Sequence, residues 1–142
     1  MFDRSKALVR DPRFKYPAGS LIRDPKTFAY WRLCTGKWAP ENPQAVALTD
    51  RPAEMRASLE RARSNGLDLF DWATIGGLIG MMGKNFSELM WDDENSSWDC
   101  RVTIPLEGTI SCVEDNTGDA VLSALMLLMR IEDDFEEDSE EG

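Results

Sequence analysis

Between Trp98 and Leu106 apolar and polar residues alternate. Trp98, Cys100, Val102, Ile104 and Leu106 fall on one side, and Asp99, Arg101 and Thr103 on the other. A period of two is that of a strand with one buried and one wet face. Strand-like runs flank it at 86–91 and 109–113, which predicts an antiparallel three-stranded meander. A tight turn over Glu107, Gly108 and Thr109 sets Leu106 opposite Ile110 and Ile104 opposite Cys112, keeping the apolar residues on one face. The segment 92–97, Asp-Asp-Glu-Asn-Ser-Ser, supplies the other hairpin connection.

Helical patterns precede and follow the meander. Thr49 or Asp50 as cap, Pro52 in the first turn and Asn65-Gly66 as a left-handed stop predict a surface helix with a thin apolar stripe. A second helix is predicted from Asp68 to Gly83, through Phe70, Trp72, Ile75, Leu78 and Met82. Its interior glycines 76, 77 and 80 together cost about 2.5–3 kcal/mol relative to alanine, which a close backbone contact across Gly76-x-x-x-Gly80 would offset. Asn116 or Thr117 with Gly118 introduces a last helix, apolar almost all round from Ala120 to Met129, which needs cover on more than one side.

The first forty residues follow neither period. Val9-Arg10-Asp11-Pro12-Arg13-Phe14 is echoed by Ile22-Arg23-Asp24-Pro25-Lys26, with Phe28 close behind. Asp before Pro is a turn device: Pro presets φ, and the carboxylate can accept from the backbone N–H two residues on. With Pro17, Gly19 and Pro40 as further punctuation, the segment reads as an arm of extended pieces and turns. The expected fold is α+β, helices packed on a small antiparallel β-meander, divided into a basic aromatic N-terminal arm (1–40), a compact domain (41–131) and an acidic tail (132–142).

Charge sharpens this division. The formal net charge is -10, yet 132–141 hold eight acids and no base, so 1–131 carry only -2. A nucleic-acid mimic, which spreads carboxylates over its folded surface, is thereby disfavoured. The chain has no histidine, the commonest general base and transition-metal ligand, which disfavours an enzyme. Three cysteines, 34, 100 and 112, have no C-x-x-C spacing and indicate neither a disulfide framework nor a zinc site. With no signal-peptide pattern and no apolar run of about 18 residues, a cytoplasmic, non-secreted protein without a membrane contact is expected.

Within the arm, cations and rings interleave. Arg10, Arg13, Phe14, Tyr16, Arg23, Lys26, Phe28, Tyr30, Trp31 and Trp38 are the candidate partner-binding residues. Cations beside rings also suit single-stranded nucleic acid, with the acidic tail as competitor; this is the alternative reading. The acidic loop at 92–95 lacks EF-hand spacing, and Gly77, Gly80, Gly83 and Lys84 depart from a phosphate loop, so no metal, cofactor or small-molecule substrate is indicated. The expectation is a non-enzymatic protein–protein interaction protein binding another protein or copies of itself. By analogy of size and composition it is an accessory or structural subunit of a larger, phage-particle-like assembly, or a small mobile-element-encoded inhibitor of a host protein.

Overall fold

The computed structural model describes residues 2–131. Among them are five α-helices and two three-stranded antiparallel sheets, an α+β arrangement as the sequence predicts. The chain divides into two units, Met1–Asp68 and Leu69–Gly142. The acidic tail lies outside the described residues.

The first unit begins with a 3-10 turn, Phe2–Ser5, running into α1 (Lys6–Arg10), whose Leu8 is fully buried. Strands β1 (Leu21–Arg23), β2 (Tyr30–Cys34) and β3 (Lys37–Pro40) then form a meander. Ile22 lies opposite Trp31, and both are wholly buried. A short helix, α2 (Pro43–Val46), follows. The Asn42 side chain accepts from Ala45 N (3.1 Å) and Tyr30 N (2.9 Å), so one residue caps the helix and ties it to β2. The long helix α3 (Pro52–Asn65) has Pro in its first turn, buries Ser58 and Ala62, and stops at Gly66, φ 103°. Ile22 makes an isolated bridge with Leu67, closing the unit.

Residues 1–40 are therefore not an extended arm, and no boundary falls at 40/41; the division comes after Asp68. The strands of this sheet have three, five and four residues, too few for alternation to declare itself. The Asp-Pro turns do form. Asp11 Oδ1 accepts from Arg13 N and Asp24 Oδ1 from Lys26 N, each at 2.9 Å. The first ends α1, and the second returns β1 onto β2.

In the second unit α4 (Trp72–Met82) starts four residues later than predicted because Asp71 caps it, accepting from Thr74 N at 2.9 Å. A 3-10 turn, Gly83–Asn85, leads to β4 (Phe86–Asp92), β5 (Ser97–Ile104) and β6 (Gly108–Glu114), the expected meander. Helix α5 (Thr117–Met129) is capped by Asn116, packs on β5, β6 and α4, and buries Ala120, Val121, Leu122, Ala124, Leu125 and Met126. Each fully buried Leu or Val is worth about 1.5–3 kcal/mol, so this helix is the main hydrophobic contribution to the unit.

Two expectations are corrected here. The β5–β6 register pairs Ile104 with Gly108, Val102 with Ile110 and Cys100 with Cys112. The turn is tighter and earlier: Glu107 N donates to Ile104 O (3.0 Å) around Pro105 and Leu106, and Leu106 takes φ 71° and is fully exposed. Proline's preset φ nucleates that turn even though leucine must then sit left-handed. The displacement is by an even number of residues, so the apolar face survives. Second, a Cβ on Gly76 or Gly80 would meet nothing within 4 Å; the close approach occurs instead at Gly118, where a Cβ would fall on the Leu69 carbonyl.

Candidate partner interface

The ten residues singled out in the sequence separate into anchors and a surface. Trp31 is wholly buried, its Nε1 donating to Ser58 Oγ at 3.1 Å. Phe14, Tyr16 and Trp38 form an edge-to-face ladder with centroids 5.0 and 5.3 Å apart. The Tyr16 hydroxyl donates to Arg63 O at 2.8 Å, and burial pushes its pKa up to about 12. Phe14 and Trp31 are buried and Tyr16 and Trp38 half-buried, so these four rings serve first to hold β1–β3 and α3 together. Tyr30 is half-buried opposite Arg23.

Arg10, Arg13, Lys26 and Phe28 are exposed, and Arg23 is half-buried. Arg13 is engaged side-on with Asp11 at 2.9 Å, a surface pair of small energetic weight. Phe28 is 57% exposed at φ 61°, a conformation that a bulky L-residue rarely adopts. The Arg23 guanidinium sits 5.9 Å from its ring centroid, within cation–π range.

What imposes this geometry is Asp24. Its carboxylate is wholly buried yet meets Arg61 twice, at Nε (2.9 Å) and Nη2 (2.7 Å), with Thr27 Oγ1 at 2.6 Å and Lys26 N at 2.9 Å. Burial alone would raise its pKa. The hydrogen bonds from Arg61, Thr27 and the Lys26 backbone outweigh burial and hold the carboxyl well below the usual carboxylate range. The Asp24 backbone closes the loop: Phe28 N donates to Asp24 O (2.9 Å) and Asp24 N to Ala29 O (2.8 Å). Asn42 Nδ2 donates to Phe28 O at 3.0 Å. Five residues are thus pinned with an aromatic ring turned outward.

Arg61 also borders two shallow grooves. One, of about 490 Å³, is lined by Lys6, Arg10, Pro25, Glu60, Arg61, Ser64 and Asn65; the other, of about 390 Å³, by Lys26, Thr27, Leu48, Ala53, Glu54, Ala57 and Arg61. Arg10 lines the first groove and Lys26 the second, with Arg61 common to both. Sequence reasoning missed Arg61. It lies 37 residues beyond Asp24, and nothing local marks it out from Arg56 and Arg63 on the same polar helix.

The second unit has the opposite charge. The first unit carries thirteen Lys and Arg against eight Asp and Glu; the second carries three against eighteen, ten of them among its described residues. On its sheet, Trp98, Cys100 and Val102 face α5, as the 2.9 Å bond from Ser123 Oγ to Glu114, the cross-strand partner of Trp98, indicates. The other face carries the row Met90–Asp99–Val113 and, beside it, Glu88–Arg101–Ser111. Met90 and Val113 are 39% and 54% exposed. Asp99 Oδ2 accepts from Arg101 Nε (3.0 Å), while Asp99 Oδ1 and Ser97 Oγ are buried with no hydrogen-bond partner.

Cys100 and Cys112 lie opposite one another, and burial raises both thiol pKa values, that of Cys100 to about 12. Cys34 is exposed. The acidic loop at 92–95 folds on itself, Asp92 accepting from Glu94 N and Asn95 Nδ2. Among the described residues no group of three or more metal-ligating side chains converges, and no helix is long and apolar enough to cross a membrane. Comparison with protein-family models, curated proteins and solved structures finds no match for this chain.

Proposed function

We propose that the chain is a non-enzymatic protein–protein interaction protein, an accessory subunit of a larger assembly or a small inhibitor of another protein, and that it engages its partner through the β1–β2 tip: Arg23, Lys26 and Phe28, with Arg10 and Arg61 beside it. The observation that carries this reading is Phe28. A large aromatic ring held out of the core costs hydrophobic free energy, and its left-handed backbone adds about 1–2 kcal/mol of strain. Both costs are imposed by a hydrogen-bonded network centred on a buried carboxylate. Strain maintained by surrounding structure is a mark of positions that serve function. The flanking cations favour an acidic partner surface, and a central ring with a charged rim has the usual anatomy of an interface hot spot.

The same tip bears on the nucleic-acid alternative. A single-strand binder stacks successive bases on several exposed rings. With Phe14 and Trp31 buried and Tyr16 and Trp38 in the ladder, Phe28 is the large ring displayed at this tip. The test is affinity capture from nuclease-treated lysate with the wild-type chain and with Phe28→Ala. Proteins retained by the first and lost with the second are the expected result. Capture that is indifferent to Phe28, or that vanishes on nuclease treatment, refutes the reading.

A further inference from the structure

We infer that the chain associates head-to-tail with copies of itself, the Arg23–Lys26–Phe28 tip of one copy seating on the Met90–Val113 face of the next copy's second unit. This inference rests on the reading of the tip as a partner contact and names the partner.

Charge is the first argument. The first unit has a formal charge of +5 and the described part of the second -7, so unlike units attract while like units repel. Face-to-face pairing of two first units, or of two second units, is opposed. A contact between different patches on identical chains is heterologous, and repeating it gives a ring or an open row.

The two surfaces also match locally. The tip is an exposed ring beside cations, and the receiving face is a pair of exposed apolar side chains beside carboxylates. Met90 and Val113 flank Asp99 on adjacent strands, and Glu88, 48% exposed at its side chain, lies on the same strand as Met90. Asp99 and Glu88 both pair with Arg101, at 3.0 and 3.1 Å, and of the two carboxylates the Glu88 side chain is the more exposed. The Lys26 ammonium of another copy meets the exposed Glu88 carboxylate, while Phe28 covers Met90 and Val113. Phe28, Lys26, Met90 and Val113 are all exposed in the single chain and so available to a second copy.

The experiment uses two variants that leave the fold intact. Phe28→Asp suits the left-handed backbone better than phenylalanine does, removes the apolar ring and sets a carboxylate against the acidic receiving unit. Met90→Lys puts a cation on the receiving face at an exposed position. Solution mass is measured by sedimentation at low and high salt over a wide concentration range, with thermal melts confirming that each variant is folded. The wild-type chain is expected to associate and to dissociate as salt is raised. Each variant alone associates at least tenfold more weakly. An equimolar mixture of the two forms a pair that grows no further, because each chain keeps one working patch.

A wild-type chain that stays single at every concentration overturns the inference, as does a mixture no larger than its separate components. If the chain stays single yet still captures a foreign protein through Phe28, self-association falls and the reading of the tip stands. If Phe28→Asp alters neither, both fall.

Discussion

Asp24 and Arg61, 37 residues apart, form a side-on ion pair in which the Asp24 side chain is wholly buried and the Arg61 side chain remains 34% exposed. The pair fixes the β1–β2 turn to α3 and sets the orientation of the tip. Removing the carboxylate leaves a cation without its partner, though Arg61 can turn partly to water. Asp24→Ala is expected to cost about 2–4 kcal/mol, read by urea unfolding at pH 7. The pH dependence follows from the depressed pKa. An unfolded aspartate titrates near 3.9, and the folded one lower. The stabilisation is therefore full at neutral pH and is lost as pH falls below about 4. The difference between wild type and Asp24→Ala should shrink at pH 3, and a constant difference would refute this account.

Gly118 and the two exposed glycines of α4 should respond in opposite directions. Gly118→Ala drives a methyl into the Leu69 carbonyl and is expected to destabilise by about 3 kcal/mol. Gly76→Ala and Gly80→Ala have open space and ordinary helical backbone, so each should stabilise by about 0.5–1 kcal/mol. Thermal melts of the three variants decide the matter; a destabilised Gly80→Ala would reveal a contact that this geometry lacks.

Leu106 occupies a left-handed turn position with its side chain in solvent. Asparagine tolerates that conformation and forfeits no packing. Leu106→Asn is expected to stabilise by about 0.5–1 kcal/mol, measured by denaturant midpoint at unchanged slope.

Trp31 and Phe28 test the division of rings into anchors and surface. Trp31→Ala removes a buried indole and its bond to Ser58 and should cost about 3–5 kcal/mol. Phe28→Ala should stay within about 0.5 kcal/mol of wild type. Comparable losses for the two would show that Phe28 is a packing residue.

The three thiols should differ in reactivity. Cys100, raised to about 12 by burial, and Cys112, raised in the same direction, are thiols rather than thiolates near neutral pH. Brief alkylation at pH 8 followed by mass analysis should label the exposed Cys34 and spare the other two until denaturant is added. Early labelling of Cys100 would mean that β5 opens in the native state.

The second unit was legible because its elements are long enough to show their period. Seven- and eight-residue strands and a thirteen-residue apolar helix can be read directly. What the pattern missed there were turn details: a proline pulled the β5–β6 turn forward, and Asp71 rather than Asp68 took the cap. In the first unit the strands are too short for periodicity, and the rings that suggested an arm are buried by partners on α3 that no local pattern identifies. Arg10, Arg23, Lys26 and Phe28 were among the ten residues singled out, but the sequence offered nothing to separate them from the buried rings beside the Asp-Pro turns. Arg61, which fixes the second of these turns, is a tertiary partner and left no mark.

Both sheets join only strands consecutive in the chain, each connection a short hairpin. Closing such loops costs little entropy, and topologies rich in local pairings fold quickly. The hydrogen-bonded partners of Asp24 and Trp31 are complete once Arg61 has been synthesised, so the first unit needs no residue of the second to set its tip. During synthesis the basic half is therefore able to acquire its shape before the acidic half exists. The order of birth separates the basic and acidic units in time, so the head-to-tail pairing proposed above has to wait until the second sheet is finished.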